Sequence, residues 1–206
     1  MKDPDSAAEK ILKQKAFIRR EIETVLSKEK SDALWHRAQK ILASILLRYA
    51  GLSGGIRMHT DRFIFPSAAI YMALKDAIGA DPAFQLIQNC SNSQAEKIGT
   101  KLAGMMKLPG FPSFFIFLWG PISHTMFSHG SGFQNRFYPG KKGEYRMDIL
   151  ACPYHRLFTE LGCPELTKIF CDNDICTYGS LPGISFHRTG TIGSGADHCD
   201  FLIRKQ

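Results

Sequence analysis

Along the first half of the chain, apolar residues recur at helical spacing. Ala8, Ile11, Leu12, Phe17, Ile18, Ile22 and Leu26 stand among Lys, Arg and Glu between Asp5 and about Lys28, which predicts one amphipathic helix. A second stripe runs Leu34, Trp35, Ala38, Ile41, Leu42, Ile45, Leu46. Ser31-Asp32 is the expected N-cap of that helix, and Gly51-Leu-Ser-Gly-Gly55 is its stop. Thr60-Asp61 can cap a third helix, which Pro66 should delay or kink; Ser67 to Ile78, closed by Gly79, is its best-formed part. Asp81-Pro82 reads as N-cap and N1 of a fourth helix, running with a break near Asn89–Asn92 to Lys107. After Pro109-Gly-Phe-Pro112, the run Phe114 to Phe127 is expected as a short buried helix.

From Gly132 the period shortens from helical to alternating. Phe133 to Tyr138 and Glu144 to Leu150 flank Pro139-Gly-Lys-Lys-Gly143, the pattern of a β-hairpin. Cys152-Pro153 opens a helix stopped by Gly162, and Pro164-Glu165 opens another to about Phe170. Cys171 to Cys176 is expected to lead into an extended piece near Tyr178. Gly183 to Thr189 predicts a strand, Gly190 to Asp197 a loop, and Cys199 to Arg204 the closing strand. The expected fold class is α+β, a helical N-terminal half on a small antiparallel β-sheet with inserted helices. The division is residues 1–130 as helical scaffold and 131–206 as the site region, within one structural domain.

The composition narrows the function classes. With 206 residues and 44% hydrophobic content, the chain can build its own core. The formal charge of +7 is dispersed, and its densest basic clusters are not interleaved with stacking aromatics, so no nucleic-acid partner is expected. Phe111 to Phe127 is too short and too interrupted by Pro and Gly for a membrane span, and no membrane is expected. The polar N-terminus does not resemble a secretory leader; the six cysteines are therefore expected as free thiols in the cytoplasm. The expected partner is a small-molecule substrate; a homodimer is compatible with the chain but not demanded by it.

Five of the six cysteines fall in the last third of the chain. Cys152 and His155 have helix-start spacing, which suits a thiolate nucleophile and its base, or a buried thiol and a helix-face histidine. Cys171-Asp-Asn-Asp174-Ile-Cys176 suits acid–base chemistry better than zinc, whose sites favour closely paired cysteines; no metal and no cofactor is assigned, and a metal-dependent variant built on a set such as Cys152, His155, Cys171 and Cys199 stays open as an alternative. Arg188-Thr-Gly-Thr-Ile-Gly-Ser-Gly195 offers a guanidinium fork and a glycine-rich loop to an anion, or is a tight turn with a salt-bridged arginine. In the last strand Cys199 and Phe201 share one face, while His198 and Asp200 share the other.

The run Cys152-Pro-Tyr, Phe158, Glu160-x-Gly162-x-Pro164-Glu165-Leu166, Phe170-Cys171-x-x-Asp174, then Phe186-x-Arg188-Thr189-x-Thr191-Ile192-x-x-Gly195-Ala196-Asp197-x-Cys199-Asp200-Phe201, resembles the L-2-amino-thiazoline-4-carboxylic acid hydrolase family. The resemblance implies hydrolytic opening of a 2-aminothiazoline ring that bears a carboxylate, giving N-carbamoyl-L-cysteine, a step towards cysteine. The order of hairpin, helices and final strand also looks like small-molecule-binding domains of the 4-vinyl-reductase type, which would be binding modules without chemistry. With the residues read against this background, the expected catalytic set is Cys152, His155, Cys171 and Asp174. The expected substrate contacts are Arg188, Thr189, Glu160 and Cys199. Three groups compete to react: Cys152, expected as the most acidic thiol, Cys171, placed at a helix C-terminus, and Asp174 as base for a water.

Overall fold

The computed structural model describes residues 3–206. The chain forms two compact units: residues up to Cys90 with Leu157–Leu166, and Ser91–Arg156 with Thr167–Gln206.

The first unit is helical. The expected single N-terminal helix is two, α1 (Pro4–Lys13) and α2 (Ala16–Val25), and Asp3 caps the first by accepting from the Asp5 N–H at 3.1 Å. The next helix, α3 (Lys28–Arg48), starts earlier than Ser31-Asp32 suggested. Ser27 caps it, accepting from Lys30 N at 3.4 Å, while Ser31 is buried inside the first turn. Then α4 (Gly54–His59) runs through a π-helical turn, Thr60–Ile64, into α5 (Phe65–Ile78). Pro66 has no N–H for the preceding turn, and the wider π turn lets the helix pass through it without a break. Gly79, at φ +92°, ends α5. Tyr71, 1% exposed, donates its hydroxyl to Glu165 at 2.5 Å.

α6 (Ala80–Met106) is continuous through Asn89–Asn92, and Pro82 sits in its first turn, where a missing N–H is harmless. α7 (Phe111–Met126) follows Gly110 at φ +80°, with Pro112 in its first turn. The sheet of the second unit has β1 (Gln134–Phe137), β2 (Glu144–Ala151), β3 (Ile184–His187) and β4 (Cys199–Lys205) in the order β1-β2-β4-β3, each neighbour antiparallel. Alternation places Tyr145, Met147 and Ile149 of β2 beside Ile203, Phe201 and Cys199 of β4 on one face. That face packs with Ile116, Phe115 and Trp119 of α7 in one core. Tyr145 donates its hydroxyl to the buried Ser123 of α7 at 2.6 Å.

Two expectations for this unit fail. α7 is not a buried helix: Phe114, Phe117, Leu118 and Ile122 are 50%, 72%, 39% and 43% exposed. Between β2 and β3 lie α8 (Pro153–Glu160) and α9 (Leu166–Tyr178), and α9 does not stop near Phe170. Cys171 and Asp174 are therefore mid-helix, one turn apart on one face, and not at a helix end followed by extended chain. Gly99 of α6 contributes to this: a Cβ there would meet the carbonyl oxygens of Cys176 and Thr177 at 2.8 and 3.0 Å, so its missing side chain lets α6 lie against the end of α9.

Candidate functional site

Inside the second unit, four pieces of chain bring reactive groups together. Cys152 precedes the first residue of α8, Cys171 and Asp174 lie on α9, Arg188 follows β3, and Cys199 opens β4. All six cysteines are free. Cys152, Cys171 and Cys199 are near enough to influence one another's ionisation. The loop before β4 touches two of them through adjacent residues: Ile192 N–H donates to Cys199 Sγ at 3.3 Å, and Gly193 N–H donates to Cys171.

Arg188 is the fixed cation of the cluster, its side chain only 6% exposed. Its two terminal nitrogens donate to Asp174 Oδ2 and to the Cys171 carbonyl oxygen, each at 2.9 Å. The guanidinium carbon stands 5.9 Å and 5.6 Å from the Phe186 and Phe201 ring centroids. The fork is thus engaged by the protein's own carboxylate and carbonyl. Its position fits an arginine that holds Asp174 better than one kept open for a substrate carboxylate.

Burial pushes the Asp174 carboxyl up to about 7, with Arg188 pulling the other way through its charge and hydrogen bond. About a third of the Asp174 side chain remains accessible, 32%. A carboxyl poised near neutrality and partly open is suited to take and return a proton. The thiols stand differently. Burial pushes Cys152 up to about 12, although the N–H groups of His155 and Tyr154 donate to its sulfur. The helix-start effect expected at Cys152 is present, but loss of solvent outweighs it, so the expectation of an acidic thiol there is overturned. Cys199 is raised to about 11, chiefly by burial. Burial also raises Cys171, against the Thr191 hydroxyl, the Arg188 charge and the Gly193 N–H.

His155 is half-buried in the first turn of α8. Thr189 gives its N–H (2.9 and 3.0 Å) and hydroxyl (2.9 Å) to Asp200, and Gly190 N–H joins them at 2.9 Å. The glycine-rich loop therefore directs its first N–H groups at an internal carboxylate. Packing raises the Asp200 pKa, but these donors outweigh it and hold the carboxyl below its usual range. Glu160 belongs to the first unit, where Tyr49 donates to it at 2.8 Å.

Two tyrosines went unread in the sequence. Burial raises both Tyr154 and Tyr178, and the charge of Asp174 adds to each. Tyr154 stands inside the Cys-Pro-Tyr-His run, so its position was visible there; Tyr178 carries no local signal. Among the described residues, no group of three or more His, Cys, Asp or Glu is arranged to hold a metal ion.

The sequence profile described as L-2-amino-thiazoline-4-carboxylic acid hydrolase matches residues 57–203, well over half of the 206-residue chain and every residue of this cluster. The chain belongs to that family. The L-2-amino-thiazoline-4-carboxylic acid hydrolase match thus begins in α4 and takes in α5 to α7 besides the C-terminal sixty or so residues that carry the resemblance. No curated protein and no solved structure matches the chain.

The loop packs closely on α9 at Gly193, where a Cβ would meet Thr167 Cγ2 at 2.9 Å and Cys171 Sγ at 3.0 Å. Gly193→Ala is expected to lift the loop off α9, costing about 1–3 kcal/mol and exposing Cys171. Thermal melting and the Cys171 alkylation rate check this; an unchanged rate would contradict the contact.

Proposed function

We propose that this protein hydrolyses a small cyclic amidine or thiazoline carboxylic acid, of the L-2-amino-thiazoline-4-carboxylate type, at the Asp174 cluster. The observation that carries the reading is the Asp174–Arg188 pair, a partly open carboxyl held near pH 7 among thiols that keep their protons. Family membership supports the reaction class.

In this reading Asp174 removes a proton from water as the oxygen bonds to C2 of the ring, the electrophilic amidine-like carbon. The C2–S bond then breaks, the electron pair leaves with sulfur, and sulfur receives a proton. Water's two hydrogens end on the product thiol and nitrogen, and its oxygen becomes the carbamoyl oxygen, so the atoms balance as N-carbamoyl-L-cysteine. Arg188 acts on Asp174 as a positioning residue. Asp174, protonated in that step, returns the proton to the departing sulfur, while the thiols of Cys152 and Cys171, raised by burial, keep theirs. Cys199 and Tyr178 form walls.

The test is turnover of L-2-amino-thiazoline-4-carboxylate by the purified protein and its Cys152→Ser and Cys171→Ser variants, in 18O-labelled water with intact-mass analysis. We expect one labelled oxygen in the product, activity within about tenfold of the parent in both variants, and no adduct on the protein. An isothiourea- or thiocarbamate-type adduct on Cys171 would replace water by the thiolate as nucleophile. Failure of every cyclic amidine acid tried would leave the ligand-binding reading in its place.

A further inference from the structure

α7 contains no charged residue over Phe111–Met126. Phe114, Phe117, Leu118 and Ile122 follow one another at i, i+3, i+4 and i+8, so they form a single stripe, and all four face outward. One exposed apolar side chain is ordinary; four in a stripe on an uncharged helix form a contiguous patch that needs a reason.

The patch borders a basic rim. The turn between β1 and β2 stands against α7 across a cleft of about 800 Å³, in which Phe117, Gly120 and His124 face Lys141, Lys142 and Arg146, with Lys205 beside them. Arg146 is held in place over the Tyr138 ring, 4.1 Å from its centroid. Glu144, also in the cleft, is engaged by Arg204 at 2.8 Å, so it does not neutralise the lysines. None of Cys171, Asp174 and Arg188 lines this cleft.

The charge selects the occupant. Two copies of this chain meeting through the stripe with their hairpin turns side by side would set Lys141, Lys142 and Lys205 of each against the same cations of the other, which is repulsive. A surface that is apolar at depth and anionic at its face satisfies both parts at once. We propose that the α7 stripe and the basic hairpin turn together form a docking surface for an anionic phospholipid bilayer. α7 lies in the plane of the interface, its aromatic stripe at the boundary of headgroups and acyl chains, and the lysines on the phosphates. Among the described residues no helix is long and apolar enough to cross a membrane, so the contact is peripheral. The expectation of no membrane rested on this run being too short and too interrupted to span one, a ground that does not bear on a helix lying in the interface. This inference is independent of the proposed reaction.

Co-sedimentation of the full chain with vesicles tests it, using phosphatidylcholine alone and phosphatidylcholine mixed with phosphatidylglycerol. The protein is expected to pellet with the mixed vesicles, to be released by salt, and to stay in solution with phosphatidylcholine alone. Lys141→Ala with Lys142→Ala should weaken binding about thirtyfold, from about 1 kcal/mol per lysine, and Phe117→Glu should abolish it. Both variants should keep the parent's melting temperature and its turnover. No binding to the mixed vesicles, equal binding to both kinds, or a concentration-dependent dimer that Phe117→Glu dissolves would overturn the proposal.

Discussion

Asp174→Asn should lower kcat/KM on the thiazoline acid by about 10²–10⁴-fold, the usual contribution of a positioned general base, and leave the fold intact. The amide is nearly isosteric and can still accept from Arg188, but it cannot take a proton from water. In the parent, kcat/KM should rise with pH through about 7, because the base works only as the carboxylate. The sign for stability is opposite. A carboxyl whose folded pKa is raised from 3.8 to about 7 binds its proton more tightly folded than unfolded, so its contribution falls as pH climbs from about 4 to about 7. The amide of Asp174→Asn does not titrate, so the variant's Tm should rise relative to the parent's as pH climbs from about 4 to about 7. A variant that kept full turnover, or a parent profile flat between pH 5 and 9, would remove Asp174 from the chemistry.

Arg188→Met should act on both stability and reaction. It removes a side chain only 6% exposed that donates to Asp174 and to the Cys171 carbonyl. Breaking a buried pair strands the partner and costs about 3 kcal/mol. In a chain of this size that is roughly 6–12 °C in Tm. Asp174 would lose the cation that opposes its desolvation, so the rise in kcat/KM should move to higher pH. Arg188→Lys should restore part of the pH profile through its charge but less of the stability, because an ammonium cannot serve two acceptors with a planar fork. A substrate clamp would behave differently: KM would rise with both substitutions while the pH midpoint stayed in place.

The elements that could be read in the sequence are those whose signals are local. The hairpin was visible because Phe133 to Tyr138 and Glu144 to Leu150 alternate around a turn whose Gly143 takes φ +78°. Gly79 and Gly162 likewise marked real helix ends. α9 was misread because Cys-Asp-Asn-Asp is a poor helical run by propensity, whereas its packing against Gly99 and Gly193 is non-local. Asp174 and Arg188 were both named from their own neighbourhoods, but that they pair across fourteen positions was not legible. The Cys152 thiol was misjudged for the same reason: a helix start shows in the sequence, and desolvation by distant strands does not. α7 looked buried because hydrophobicity alone does not say which face meets a neighbour.

The sheet's strand order bears on colloidal behaviour. Both edges are its four-residue strands, β1 and β3, while the eight- and seven-residue strands β2 and β4 are enclosed between them. β1 is irregular between Gln134 and Asn135 and carries the exposed Arg136, and β3 ends at the exposed His187. Short, interrupted, polar edges offer little template for a strand of another molecule. The longest β-prone segments are thus shielded from edge-to-edge polymerisation by the shortest ones, and crowding or overexpression should spare this sheet from templated fibril growth while it remains folded.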